Sequence, residues 1–355
     1  MKKKNLLLAA ASVMMALALS ACGNSTSSSS SNNSKAQETV AKAENEEAED
    51  AVVLQIGIPS ADDSLWAVLA RRWSEIAAEE SGGKLKLDVY TSSQLGSQTD
   101  LLDQMLAGAN VIGIGTAPYF ADLGIPDFSI IQAPYLVSSW DDMLKITHSD
   151  WWAEQSSKLE EKGIKIINFN VQQGQRHTLS TKPITTLEDF KGKKLRTPSG
   201  TLYIKTYEAL GASPTPMDLG EVYTGLQQGT IDGEDNTLMT MYSEKHYEVA
   251  KYLILDGHIY DLQGLVMSSM VFDSLSPELQ EILCSSCDKA VDEFNASIDE
   301  ENAKFVQDMK DAGVTVTEKI DFDAFAAAAR KFYDYPEFDN WSDGLYDTMQ
   351  EIINN

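Results

Sequence analysis

Ser276-Pro277-Glu278 opens a helical periodicity that continues to about Asp311. The serine is placed to cap, and proline suits the first helical position, where its missing N–H would have no intrahelical partner. About 35 residues at ~1.5 Å each make a rod of roughly 52 Å, longer than a small domain is wide. Such a helix must either break or run along two lobes.

The upstream pattern supplies the lobes. Val52 to Ile58 reads as a strand, and a helix follows from about Ser64 to Glu80 with Leu65, Trp66, Leu69, Trp73 and Ile76 on one side. Ser81-Gly82-Gly83 stops it. Lys84 to Tyr90 alternates as a strand, Ser97 to Leu106 is helical, and Val111 to Gly115 is a short buried strand. This β-α-β-α-β order implies parallel strands with crossover helices. A strand at Ile164 to Phe169 restarts the pattern, as does the segment after Lys194. Two such α/β halves with returning connections predict two lobes and a crevice.

The stretch 211–236, GASPTPMDLGEVYTGLQQGTIDGEDN, is locally the most informative. Pro214 and Pro216 hold the chain extended, and Asp218 and Glu221 have the spacing of a capping box. A helix is expected from Leu219 to Gln228, closed by Gly229, with a strand at Ile231 to Glu234.

The first 50 residues belong to no core. Lys2 to Lys4 precede an apolar run of about 14 residues, Leu6 to Leu19. That is short of the ~20 residues a membrane span takes, and it suits a secretory signal peptide over 1–21. Leu19-Ser20-Ala21-Cys22 has the form of a bacterial lipobox, with lipid added to Cys22. The expected location is extracytoplasmic, anchored by lipid to the outer face of the cytoplasmic membrane. Residues 22–50 are rich in serine, asparagine and acids, and read as a tether.

Cys284 and Cys287 form a CxxC inside the long helical pattern, away from any strand-to-helix turn where redox pairs occur. Packed thiols or a local disulfide are both open readings; a metal site lacks a second ligand pair. No cofactor motif is present: neither a P-loop nor GxGxxG occurs, and the four histidines show no HExxH or HxxxH spacing.

Charge narrows the partners. The chain carries −26, and losing three lysines with the leader takes it to about −29. Such a charge repels nucleic acid phosphates. Only five of its 28 basic residues are arginine. Arg71, Arg72 and Arg330 lie in amphipathic helical stretches, whereas Arg176 and Arg196 sit in short extended segments. A buried arginine needs an anionic partner, and here that is one of the chain's many acids or a bound ligand. Gly174 near Arg176 allows close approach of either a ligand or a second backbone. Asp232, Glu234 and Asp235 raise the possibility of paired carboxylates for acid/base work, in a chain where carboxylates are abundant.

The segments KGKKLRTP, LGASPTPMDLGEVYTGLQQGTIDGEDN and HYEVAKYLILDGHIY resemble successive signatures of the solute-binding proteins of tripartite ATP-independent periplasmic (TRAP) transporters. GGKLKLDVYTSSQLG and LSPELQEIL fit the same family, and the resemblance runs from about Val52 to Tyr333. It implies an α/β, two-lobed fold of the periplasmic-binding-protein kind, with a central cleft and a long helix running along both lobes. The implied lobes are 51–173 plus about 262–301, and 174–261 plus about 302–355. The implied ligand is a small organic acid, a sugar acid or C4-dicarboxylate, passed by a monomeric, non-enzymatic binding protein to the transporter's membrane subunits.

By the same resemblance, Arg196 matches the arginine that pairs with the ligand carboxylate. Arg176 matches one that adds a second contact. Asn236 and Tyr223 match the Asn of "GQENP" and the Tyr of "EVY", and Thr116 a position from which some members reach the ligand. Here the signature departs to Gly233-Glu234-Asp235-Asn236-Thr237, with Asp235 for the usual Glu and Thr237 for Pro. Trp66, Tyr119, Phe120, Tyr203 and Tyr260 are candidates for lining the cleft. Competing readings are a sugar-acid lyase or hydrolase using Asp232 or Asp235, and a binding protein of an ABC transporter or sensory kinase.

Overall fold

The computed structural model describes residues 51–355; the leader, Cys22 and the tether lie outside the described residues. The first half follows the expected order: β1 (Val52–Gly57), α1 (Leu65–Glu80), β2 (Leu85–Tyr90), α2 (Gln98–Leu106) and β3 (Val111–Gly115). β1 pairs in parallel with β2 and β3. Ser64 caps α1 by accepting the Ala67 backbone N–H, and Ser97 with Asp100 forms a full capping box at α2. Trp66, Leu69, Trp73 and Ile76 are buried as the period of 3.6 requires. Next come α3 (Ala117–Asp122), α4 (Trp140–Thr147) and α5 (Asp150–Glu161), packed round Phe120, Phe128 and Trp152.

The joining elements are the main departure from expectation. β4 spans Ile164–Ser180, 17 residues where a strand ending at Phe169 was expected. After it come β5 (Lys194–Thr197), α6 (Thr201–Ala209), β6 (Ser213–Pro216), α7 (Val222–Gln228), β7 (Gly233–Thr237) and α8 (Leu238–Ser243). A second 17-residue strand, β8 (Tyr252–Ser268), runs antiparallel to β4 along its whole length. β8 also pairs with β3 of the first half, while β4 also pairs with β7 of the second. One sheet therefore crosses both lobes in the order β2-β1-β3-β8-β4-β7-β5-β6. Register shifts interrupt the β4–β8 ladder at four places, and bulges of this kind bend and twist a ribbon.

After α9 (Ser269–Ser274), α10 runs from Pro277 to Asp311 without a break, capped by the Ser276 side chain. Its Leu279, Leu283, Cys287 and Phe294 are buried in one core with Trp66 and Trp73, and its Phe305 and Met309 reach Met239 and Val314. The length is thus resolved by spanning. Cys287 is buried, Cys284 is half-buried, and both are free thiols.

The chain ends with β9 (Thr315–Thr317), α11 (Phe322–Ala329) and α12 (Leu345–Asn354). Packing divides the tail that the sequence assigns whole to the second lobe. Phe325 of α11 packs with Phe190, Leu195 and Tyr207 of the second half, whereas Leu345 and Met349 of α12 join the core of α4 and α5. Local details around 218–237 also differ. A 3-10 turn covers Leu219–Glu221 before α7, and the Asp218 side chain makes no capping bond. Gly229 does close α7, in the left-handed region at φ 72°.

Candidate functional site

Three neighbouring strands carry the site's polar centre. β4 pairs with β7, placing Arg176 opposite Thr237 and His177 opposite Asn236; β5 pairs with β7, placing Arg196 opposite Glu234. From the first half, the chain leaving β3 brings Thr116, and α1 brings Trp66. Of these residues, Arg176, Arg196, Asn236, Thr116 and Trp66 line one cavity of about 90 Å³. Tyr119, Tyr203, Met217 and Asp218 also border it.

The two arginines, alike in sequence, differ here. Arg176, 3% exposed, gives its Nε to Asp235 Oδ1 at 2.8 Å and an Nη to Oδ2 at 3.0 Å, with a further bond to the Asp235 carbonyl. Its other Nη donates to Asp261 Oδ2 at 2.7 Å. Burial alone would pull this guanidinium down, but Asp235 and Asp261 outweigh that and hold it well above its ordinary value. Asp235 in turn accepts from His258 at 3.0 Å. Burial disfavours its charge, yet the Arg176 and His258 charges leave its carboxyl below the usual range.

Arg196 is 4% exposed and has no carboxylate partner among the described residues. Its Nε donates to the Met217 carbonyl at 2.9 Å, which orients the plane of the fork. Burial pulls its guanidinium down, the Glu234 charge offsets part of that, and Arg176 adds to it. Glu234 itself is turned toward His246, at 2.6 Å. A buried fork held by its Nε and lacking a counter-ion is a site for a bidentate anion.

Of the other expected residues, Thr116 and Asn236 line the cavity. Asn236 already donates to Glu234 at 3.2 Å and accepts the Thr237 backbone N–H at 3.0 Å, so its amide is locally held. Tyr223 is not brought in: it sits on α7 with its hydroxyl donating to Glu248 at 3.2 Å, outside the cavity lining. Trp66, Tyr119 and Tyr203 line the cavity; Phe120 is packed in the core, and Tyr260 points its hydroxyl to the Ser138 carbonyl. Gln173 and Gln263 line it as well, and nothing in their sequence surroundings sets them apart from other glutamines.

The carboxylates considered for acid/base chemistry are engaged elsewhere. Asp232 pairs with Lys182 at 2.6 Å and accepts the Lys194 backbone N–H at 3.0 Å. Asp235 is locked behind Arg176. Neither lines the cavity.

Two α/β halves joined by crossing strands and a common helix, with a polar cavity lined from both, have the architecture of a solute-binding protein. Residues 57–338 match the family model of bacterial extracellular solute-binding proteins, family 7. The chain belongs to that family, the binding components of TRAP transporters, and is a binding protein rather than an enzyme. It is 30% identical over 275 residues to the 2,3-diketo-L-gulonate-binding periplasmic protein of Escherichia coli, covering 78% of this chain and 84% of that one. It is 30% identical over 292 residues to the sialic acid-binding periplasmic protein of Vibrio cholerae, covering 82% and 89%. A TRAP periplasmic solute-binding protein of Ochrobacterium anthropi with bound L-fuconate superposes with a TM-score of 0.83 at 34% identity, over 86% of this chain and 100% of that one. One from Actinobacillus succinogenes with bound L-galactonate gives 0.82 at 33%, over 85% and 99%.

Proposed function

We propose that this protein is an extracytoplasmic, lipid-anchored receptor that captures a small organic acid in its interlobe cavity and delivers it to the membrane subunits of a TRAP transporter. The observation that carries the ligand class is the buried, uncompensated guanidinium of Arg196, which a ligand carboxylate would neutralise through two parallel N–H bonds. Relatives that bind sialic acid, diketogulonate, fuconate and galactonate support the same class. In this reading the lobes are 51–173 with about 262–301 and 174–261 with the segment from about 302, the last helix returning to the first. Arg196 is the clamp; Thr116 and Asn236 complete the lining, and Arg176 backs it.

The chain's own acidity does not oppose an anionic ligand at close range. Ionic screening acts over ~8 Å at physiological salt, so the surface acids are damped while Arg196 acts locally. Titration calorimetry with hexonates, uronates, keto acids and dicarboxylates tests the ligand class, and failure to bind any carboxylate overturns it. Anchoring rests on Leu19 to Cys22. Cys22→Ala should leave unprocessed precursor or release the protein; a correctly cleaved variant that stays with the membrane would sink the lipid anchor.

A further inference from the structure

The cavity's unused polar groups go further than the clamp. Among its lining residues the cationic side chains are Arg176 and Arg196. Arg176 already directs its charge and four of its five N–H donors at Asp235 and Asp261. One uncompensated cation therefore remains, and it matches one carboxylate. A second carboxylate would meet no unpaired cation in the lining, and would share the cavity with Asp218.

Two neutral groups are left without partners. Gln173 is 2% exposed, and its Oε1 accepts the Trp66 indole N–H at 2.9 Å. That bond fixes the amide orientation and leaves Nε2 buried with nothing to donate to. Thr116, also 2% exposed, has a buried Oγ1 with no hydrogen-bond partner, although it stands at the start of α3 where such a hydroxyl often caps. Buried polar atoms are paired in the great majority of cases, so two unpaired ones around a single cavity call for a polar occupant. An amide donor and a hydroxyl suit alcohol oxygens.

Resting on the reading of Arg196 as the carboxylate clamp, we infer that Gln173 and Thr116 are specificity-determining residues that hydrogen-bond ligand hydroxyls, and that the ligand is a polyhydroxylated monocarboxylate. Trp66 is then a positioning residue, setting which end of the Gln173 amide faces the ligand.

Titration calorimetry with matched acids tests this. L-galactonate and L-fuconate serve as hydroxylated monocarboxylates, hexanoate as the chain without hydroxyls, galactarate as the hydroxylated chain with a second carboxylate, and malate as a short dicarboxylate. Galactarate, malate and hexanoate should each bind at least about 100-fold more weakly than the better hexonate, since a buried charge or polar group is then left unpaired. Gln173→Glu keeps an acceptor for Trp66 but replaces the donor with a carboxylate, and Thr116→Val keeps the shape and removes the hydroxyl. Each should weaken hexonate binding about 10-fold or more, and Thr116→Val should melt at or above the wild-type temperature without ligand. Malate or galactarate binding as tightly as the best hexonate, with Arg196→Ala abolishing it, would overturn the inference and leave the clamp standing. Hexonate affinities within about threefold of wild type in both variants would also overturn it. No binding by any carboxylate would overturn the clamp itself.

Discussion

At the scale of single residues, the two buried arginines make opposite predictions. Arg196 has no carboxylate pair among the described residues, and its side-chain hydrogen bond to the fold is the one to the Met217 carbonyl. Arg196→Ala should remain folded and lose at least about 100-fold in affinity, because breaking a buried charged pair costs about 3–5 kcal/mol, or roughly two to three decades or more. Arg196→Lys keeps the charge without the fork and should be clearly impaired. Calorimetry on the variants, with unfolding curves alongside, separates this from a structural role: near-normal binding with a sharp drop in melting temperature would make Arg196 a fold residue. Arg176 is the converse. Arg176→Ala strands Asp235 and Asp261 in the interior and should lower stability by about 3–5 kcal/mol in the absence of ligand, read from urea unfolding. Sequence could mark both arginines as unusual but could not tell them apart. The partners of Arg176 lie 59 and 85 positions away, and only the pairing of β4 with β7 and β8 brings them to it.

At the scale of elements, what was legible depended on whether a signal was local. The Ser276 cap, the proline at the first helical position and the sustained period of 3.6 sufficed to place α10 to its last residue. Strand β4 beyond Phe169 was not legible. After Val171 its continuation, Gln172 to Gln175, has no apolar side chain, contains Gly174 at φ 96°, and lies where the ladder shifts register, so apolar alternation is lost. The capping box at Asp218 failed for a related reason: the spacing was right, but a 3-10 turn intervenes and the carboxylate borders the cavity. The crossing of β4, β7 and β8 buries a charge network whose pH dependence can be worked out. Burial disfavours a charged His258, but Asp256 and Asp235 more than compensate and push its pKa up to about 9. An unfolded histidine titrates near 6.5, so the folded state holds the proton over the range between. Its stabilisation is full below about 6.5 and is lost as pH rises through about 9, a fall of about 3 kcal/mol by linkage. Asp235 and Asp256 are shifted down, and their contribution is instead lost in acid, below the ordinary carboxylate range. Urea unfolding across pH 6 to 9.5 should show the decline, with a flatter slope in His258→Gln. A wild-type curve level over that range would show that His258 is not charged in the fold.

At the scale of the whole molecule, burial of the clamp requires movement. Arg196 is 4% exposed and lines a cavity walled from both halves, so a carboxylate has little direct access to its fork along the surface. The cavity walls come from both halves, with Trp66 and Thr116 on one side and Arg196, Met217 and Asn236 on the other. Opening must therefore separate the halves while keeping each internally intact. The links that remain are the bulged β4–β8 ribbon and α10, elements that can absorb a hinge rotation at a few residues without exposing either core. Ligand binds the closed form by supplying the counter-charge that Arg196 lacks, so it should shift the population toward closure. Solution scattering should give a larger radius of gyration without ligand than with a saturating hexonate, and the difference should vanish in Arg196→Ala at the same hexonate concentration. Profiles that superimpose with and without ligand in the wild type would mean that entry does not depend on separating the lobes. The buried fork would then have to be reached through a local opening, at the loop between β3 and α3 or at the turn before α7.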